Sequence, residues 1–203
     1  METGHRLKGV PKQRLDALTD GVFAFAMTLL VISLDLPSDA QVTNAGQLLG
    51  LLAQLQDTLL VYVISFVVLG ARWIRNAKDH GSETWCSYGY AWAVIIHLFF
   101  VTLIPFSTKL VGLYGEFWPA VCLYAANTIL TALSSMRAAD LLAKEEQEPK
   151  PLDARLDLTV LIVTALLSCA LAFLAPGYSM YAYLLNAGSP FLRRALHRPH
   201  HGS

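Results

Sequence analysis

The chain has 203 residues, of which 55% are hydrophobic and 15% are charged, with a mean hydropathy of +0.47. Soluble domains carry about a quarter charged residues, so this composition excludes an ordinary water-facing surface. The net charge is zero, and no basic patch or binding module indicates a nucleic-acid partner. Uncharged stretches such as Gly21–Leu34, Thr58–Gly70 and Leu158–Leu174 approach the roughly 20 residues that a spanning helix needs. The expected solvent is therefore a lipid bilayer.

In chain order, the apolar segments predict one all-α domain over residues 1–203 with six transmembrane helices. The expected spans cover about residues 15–36, 54–74, 88–106, 116–136, 158–175 and 178–192. The first is read as a retained helix, because the residues after it make a poor signal-peptide cleavage site. The charged connector from Arg137 to Asp157 is expected to be a solvated loop, with Pro149 and Pro151 as helix breakers.

The basic residues predict the orientation of these helices. All but one of the 15 Lys and Arg residues fall on one side of the six-span topology, and the exception is Lys109. Cytoplasmic loops carry the excess of Lys and Arg, so both termini are expected in the cytoplasm. The predicted location is the inner (plasma) membrane.

The three cysteines, Cys86, Cys122 and Cys169, lie far apart in the sequence, in or beside apolar segments. Their spacing fits neither a metal site nor a disulfide framework, so we expect three buried, unpaired side chains.

Polar residues inside spans are costly and therefore candidate functional residues. The set consists of Asp20, Thr28, His97, Asn127 and Asn186. For His97 and the two asparagines, hydrogen bonds between helices are the simpler interpretation. No metal-binding, phosphate-binding or nucleophile motif occurs. The sequence therefore predicts no enzyme activity, no cofactor and no resident metal ion.

The first helix carries an ordered polar and apolar stripe. Gly21, Phe25, Thr28, Ile32 and Asp35 follow one another at steps of four, three, four and three, which is the spacing of one helical face. A symmetric ring of such helices would stack apolar, hydroxyl and apolar rings along an axis, and hydrophobic constrictions of this kind gate ions by dewetting. The same stripe would also suit packing against a neighbouring helix, with Thr28 bonded to its own backbone.

This helix also carries the motif of a known family. The segment Arg14–Val31, and above all Thr19-Asp20-Gly21-Val22-Phe23-Ala24, resembles the Arg-x-x-x-Phe-Ser-Asp-Gly-Val-Phe-Ala signature of prokaryotic relatives of transmembrane protein 175. These are potassium channels. Weaker similarities follow at Tyr62–Trp73 and at Leu103–Thr108.

The resemblance implies a six-helix subunit that assembles as a homotetramer and conducts potassium ions through a central pore. The family's pore positions would be Phe25, Thr28 and Ile32, with no metal beyond transient K⁺. A polar corner at the cytoplasmic end of the helix would follow from the motif, with a second-helix partner. Its residues would be Arg14, Thr19, Asp20 and Gly21, and the partner would be Trp73.

Several positions depart from the family pattern. Leu18 replaces Phe, Thr19 replaces Ser, and Phe25 stands where Ile or Leu usually forms the constriction. The family's Trp-x-x-His-His becomes Trp73-Ile74-Arg75-Asn76-Ala77, so pH sensing by those histidines is not expected here.

The sequence thus favours a potassium-permeable channel subunit. Its preference for potassium over sodium is expected to be modest, because no Thr-Val-Gly-Tyr-Gly carbonyl filter is present. The alternatives are a proton-coupled carrier of small solutes that uses Asp20 and His97, and a non-conducting membrane scaffold.

Overall fold

The computed structural model describes residues 9–34, 42–78, 85–146 and 152–183, and these are mostly helical. In chain order they form β1 (Val10–Pro11), α1 (Lys12–Leu29), α2 (Ala45–Gln54), α3 (Gln56–Lys78), β2 (Trp85–Cys86), α4 (Tyr88–Thr102), α5 (Ile104–Tyr114), α6 (Trp118–Glu146) and α7 (Leu152–Leu174). Segments of 3₁₀ helix follow α1 at Leu30–Ser33 and α7 at Pro176–Tyr183.

Five segments are long and apolar enough to cross a membrane. They are Lys12–Ser33, Gln56–Ala77, Tyr88–Tyr114, Trp118–Glu146 and Arg155–Leu174. These correspond to the first five predicted spans, so the described residues form a multi-span helical protein. The sixth predicted span, 178–192, begins in the second 3₁₀ segment and otherwise lies outside the described residues.

The predicted loop between the fourth and fifth spans is wrong for most of its length. The helix α6 continues to Glu146, and α7 already begins at Leu152. Most of residues 137–146 are strong helix formers such as Ala, Leu, Lys and Glu. Ala138 and Leu142 are also buried, and this packing adds to the intrinsic preference. The end of α6 therefore extends well beyond the predicted span.

The third span is longer than predicted and is interrupted near its middle. It continues past Phe106 to Tyr114, with α4 and α5 separated at Leu103. Pro105 stands in the first turn of α5, where its missing backbone N–H is tolerated. The interruption thus has an identifiable cause in the sequence.

Small side chains let the helices approach closely. The most extensive packing joins α6 to α7, where Ala125, Ala132 and Ala165 are at most 1% exposed. Van der Waals contact between small residues is the main attraction between helices in lipid. A second core cluster, which includes Phe23, Leu69 and Val101, joins α1 to α3 and α4. The helix α1 is therefore fixed to the bundle by one face.

The prediction of three unpaired cysteines is wrong for two of them. A disulfide joins Cys122 of α6 to Cys169 of α7, while Cys86 is buried and free. The two bonded residues are 47 positions apart, and only the packing of α6 on α7 brings them together. Spacing in the sequence carries no signal of that contact.

Candidate functional site

The two faces of α1 differ sharply in exposure. Phe23, Ala26 and Leu30 are buried against the rest of the bundle, at 2% exposure or less. On the opposite side Phe25 is 73% exposed, Ile32 is 53% exposed and Thr28 is also exposed. Gly21, Phe25 and Thr28, the members of the predicted stripe within α1, therefore lie on its uncovered face. Its last member, Asp35, lies outside the described residues.

Thr28 makes a hydrogen bond to its own backbone, as expected if the stripe packs against a neighbouring helix. Its Oγ1 donates to the backbone oxygen of Phe25 at 2.8 Å. A hydroxyl that donates its hydrogen keeps two lone pairs. The side chain thus remains able to accept a hydrogen bond, or to contribute oxygen to a cation, on the exposed face of α1.

Ile32 does not continue the α-helical stripe as predicted, because it lies in the 3₁₀ segment. This segment is anchored by Leu30 and Ser33, which are 0% and 2% exposed, and it packs on α5. The Ser33 hydroxyl also donates to the Leu30 carbonyl at 2.7 Å. A 3₁₀ helix turns further per residue than an α-helix, so Ile32 is rotated from its α-helical position. Ile32 is consequently presented by an anchored turn, and Phe25 by regular helix.

A hydrogen bond links α1 to α3 at the predicted polar corner. The Trp73 indole nitrogen donates to Oδ1 of Asp20 at 2.9 Å, whereas the Thr19 hydroxyl donates to the Leu15 carbonyl of its own helix at 2.9 Å. Arg14 is exposed near the start of α1. A Cβ atom added to Gly21 would meet nothing within 4 Å. The glycine therefore faces open space, and its small size is not required by packing within the chain.

A small pocket of about 80 Å³ opens beside this corner. Asp16, Asp20, Arg75 and His97 are among the residues that line it. Arg75 is already paired with Asp157 at 2.5 Å. The pocket is large enough for a few water molecules but too small for most organic solutes. It brings together Asp20 and His97, the two residues of the carrier hypothesis.

His97 is a hydrogen-bonded interior residue. It is 4% exposed, and its Nδ1 lies 3.1 Å from the Thr131 carbonyl oxygen. Arg72, which is 6% exposed, donates from Nη2 to the same carbonyl oxygen at 2.9 Å. The carbonyl of Thr131 thus joins α3 and α4 to α6. Sequence reasoning placed Arg72 with the cytoplasmic charges and missed this contact, because nothing in the sequence shows which face of α3 is covered.

Other polar groups form links between helices rather than a reactive site. Asn127 of α6 donates to the Ser107 hydroxyl of α5 at 3.3 Å, so the interhelical role predicted for Asn127 is confirmed. Thr108 donates to the Ser65 hydroxyl at 2.9 Å, and Ser65 also contacts the hydroxyl of Tyr124 at 3.0 Å. Asn186 lies outside the described residues. Within the part of the chain that the structure describes, no group of three His, Cys, Asp or Glu residues is arranged to hold a metal ion.

Similarity to known proteins agrees with this arrangement. Residues 14–105 match the family model described as "Endosomal/lysosomal potassium channel TMEM175". A crystal structure of a lysosomal potassium-selective channel TMEM175 homologue from Chamaesiphon minutus matches the fold with a TM-score of 0.72. That match covers 88% of this chain and 96% of the other, at 22% sequence identity. The likeness therefore extends over most of the chain.

Curated relatives are also described as potassium channels. One from Chryseobacterium sp. (strain P1-3) is 25% identical over 61% of this chain and 60% of its own length. Another from Chamaesiphon minutus (strain ATCC 27169 / PCC 6605) is 30% identical over 50% of this chain and 49% of its own length. The chain thus spans between about half and three fifths of the length of these relatives.

Fold and sequence together define a multi-span helical membrane protein, of the same fold class as the crystallised homologue. The uncovered motif-bearing helix and the interior polar links between the other helices are consistent with that class. Residues 14–105, a little under half of the chain, are similar to the TMEM175 family of potassium channels.

Proposed function

We propose that the chain is the subunit of a homotetrameric, potassium-permeable channel whose pore is lined by α1. The observation that carries the proposal is the uncovered apolar surface of this helix and of the 3₁₀ segment that follows it, where Phe25 and Ile32 are 73% and 53% exposed. That face belongs to the helix that carries the family motif, within the segment that matches the family model.

Assembly of several copies would give this face a partner. Gly21 leaves open space beside α1, and small residues let helix backbones approach closely in lipid. An apolar groove of about 420 Å³ runs next to it, lined in part by Leu18, Gly21 and Phe25. A symmetric arrangement in which α1 helices meet would cover the groove and direct the stripe toward a common axis.

Conduction would depend on how easily water enters the pore along this axis. Rings of Phe25 and Ile32 would form hydrophobic constrictions that exclude water when narrow. A ring of Thr28 hydroxyls between them would replace part of the hydration shell of the ion. Hydroxyl oxygens from one residue position replace fewer water molecules than a filter of backbone carbonyls. We therefore expect modest selectivity for potassium over sodium.

We also propose a sixth span near residues 178–192, both termini in the cytoplasm, and residence in the inner membrane. The distribution of Lys and Arg supports this orientation. The Cys122–Cys169 disulfide gives independent support, because it lies nearer the Trp118 end of α6 and the Leu174 end of α7, on the predicted outer side. Disulfides persist in oxidising compartments outside the cytoplasm.

The first test is potassium flux from liposomes that contain the purified protein. Ile32→Asn is expected to change the flux, because it makes one constriction polar. Val31→Asn is the matched control, since Val31 is 54% exposed in the same 3₁₀ segment but one position off the stripe. Equal effects of the two variants would place the pore elsewhere. No flux of potassium or sodium from well-folded protein would refute the channel proposal.

The same liposomes test the alternatives. The pocket shared by Asp20 and His97 would suit the proton-coupling part of a carrier, but at about 80 Å³ it leaves no room for most organic solutes. Solute uptake that saturates and requires a proton gradient would support that alternative. Monomeric or dimeric particles without flux would support a scaffold.

The orientation is tested by cysteine labelling in a Cys86→Ala background. Thr43 precedes α2, Lys144 lies near the end of α6, and both are exposed. A membrane-impermeant maleimide added outside oriented vesicles is expected to label Thr43→Cys and not Lys144→Cys. The reverse result would invert the topology.

A further inference from the structure

The segment that leads into α1 is held against the connection between α3 and α4. The strands β1 and β2 pair antiparallel, with Val10 opposite Cys86 and Pro11 opposite Trp85. Gly9 precedes this ladder, and a Cβ atom there would lie 2.3 Å from the Cys86 backbone oxygen. A larger residue at position 9 would push the two segments apart. The path of the chain into α1 is therefore closely specified.

A partly buried ion pair holds the first residue of α1. Lys12 is 3% exposed, and its Nζ lies 3.4 Å from Oε1 of Glu146, the last residue of α6. A buried ammonium group depends on such a partner, because an unpaired charge is costly away from water. The start of α1 is thus tied to the end of α6.

The preceding residue of α6 holds the start of α4. The Ser87 backbone nitrogen donates to Glu145 Oε2 at 3.2 Å, and the Ser87 hydroxyl donates to Oε1 of the same carboxylate. The Ser87 hydroxyl oxygen also accepts from the backbone nitrogen of Tyr90 at 3.1 Å, which caps α4. Two consecutive glutamates therefore reach two different helices.

Because α6 is long, its end can contact both the start of α1 and the start of α4. It has 29 residues, about nine more than the roughly 20 that cross a bilayer. Its last turns extend past the apolar core on the side where the predicted cytoplasmic charges lie. There the end of α6 provides a fixed contact for the start of α1.

We propose that these contacts form a clamp, made of β1, β2, Lys12 and Glu146, that sets the position of α1 and whose release changes conduction. The proposal rests on the proposed function, in which α1 lines the pore. Releasing the clamp would free the start of α1 while its far end stays anchored by Leu30 and Ser33. The buried face of α1, which includes Phe23, would then be the point about which the helix tilts. That tilt would move Phe25 and Thr28 relative to the axis. The Glu146 side chain is 22% exposed, so water reaches the carboxylate and can compete with Lys12 for it.

Cys86 provides a direct readout of the clamp. Its thiol donates to the Val10 carbonyl at 3.4 Å, and the residue is 4% exposed. Burial, followed by the charge of Glu145, raises the pKa of the Cys86 thiol. The reactive thiolate is therefore scarce while the clamp is closed. Cys122 and Cys169 are bonded to each other, so Cys86 is the one free thiol of the three in the chain.

The experiment measures Cys86 alkylation and potassium flux on the same reconstituted samples. Lys12→Ala and Glu146→Gln are expected to raise the alkylation rate by about ten-fold, because reaction through local opening follows the open population. Both variants are also expected to change the flux in the same direction. The charge swap Lys12→Glu with Glu146→Lys should restore both quantities toward wild type. Arg155→Gln is the matched control, since it breaks the exposed ion pair with Asp140 and leaves the clamp intact.

The outcomes separate the clamp from the channel. Unchanged alkylation in both single variants would overturn the clamp. Faster alkylation with unchanged flux would overturn its coupling to conduction. Wild-type protein that conducts no ion would refute the proposed function and the coupling with it, while the alkylation rates would still decide whether the clamp exists. Elution as a single oligomeric species on size exclusion establishes that each variant is folded.

Discussion

Trp73 donates its indole hydrogen to the Asp20 carboxylate at 2.9 Å, and this bond joins α3 to α1, the helix that carries the motif. A hydrogen bond to an ionised group is stronger than one between neutral groups. We expect Trp73→Phe to lower the stability of the protein by about 1 kcal/mol, and to alter flux by loosening α1. Thermal unfolding in detergent and liposome flux measure the two effects.

A double-mutant cycle isolates the contribution of this bond. Asp20→Asn keeps the size of the side chain but removes its charge. If the two residues act through their mutual bond, Trp73→Phe should add little in the Asp20→Asn background. Fully additive losses would show that each residue acts through other contacts.

Phe25 is expected to control the height of the free-energy barrier that an ion meets at the constriction formed by this residue. Phe25→Ala removes an aromatic ring that is 73% exposed on the proposed pore face. A wider constriction hydrates more easily. We expect flux to rise by about ten-fold, which corresponds to a barrier lower by about 1.4 kcal/mol. Phe173→Ala is the control, because Phe173 is 61% exposed on α7. Equal changes in both variants would point to a general effect of removing an exposed ring.

Thr28 is expected to influence which ion passes. Thr28→Ala removes the hydroxyl, so the potassium-to-sodium permeability ratio should fall, whereas Thr28→Ser should retain most of it. Reversal potentials under bi-ionic conditions give the ratio. Thr159→Ala is a matched control, since the exposed Thr159 hydroxyl makes a similar bond to the Arg155 carbonyl at 2.8 Å. An unchanged potassium-to-sodium permeability ratio in Thr28→Ala would show that Thr28 does not determine selectivity.

Several of these features could be predicted because they are local. Apolar runs of sufficient length predicted the five spans that the structure describes, and helical spacing placed Phe25 and Thr28 on one face of α1. The family motif made Trp73 a candidate partner, and the structure places its side chain against Asp20. Periodicity shows which residues share a face, since it follows from helix geometry.

The remaining features depend on contacts between distant segments. Lys12 and Glu146 are 134 residues apart, and only the extension of α6 past its predicted end brings them together. The Thr131 carbonyl that joins Arg72 to His97 is a backbone atom, for which residue type carries no signal. Ile32 was placed by assuming a continuous α-helix, and the anchoring of Leu30 and Ser33 against the bundle overrides that assumption.

The Cys122–Cys169 disulfide gives a final prediction about stability and orientation together. Replacing both cysteines by alanine is expected to lower the free energy of unfolding by about 2–4 kcal/mol, because the bond closes a long loop in the unfolded chain. Thermal unfolding of the wild type should shift downward on reduction, whereas that of the double variant should not. The unfolding temperature of Cys86→Ala should shift downward on reduction as that of the wild type does, since Cys86 takes no part in the bond.

The side from which this disulfide can be reduced then tests the topology. A membrane-impermeant phosphine added outside oriented vesicles is expected to reduce it slowly, because Cys122 lies one turn inside α6 and the bond is partly shielded. The same reagent enclosed in the vesicle lumen, on the cytoplasmic side, should leave the bond intact, since that face carries the basic ends of the helices. Reduction from the lumen alone would reverse the proposed orientation. Three free thiols, at Cys122 and Cys169 as well as at Cys86, in protein isolated from an oxidising compartment would instead show that the bond does not form.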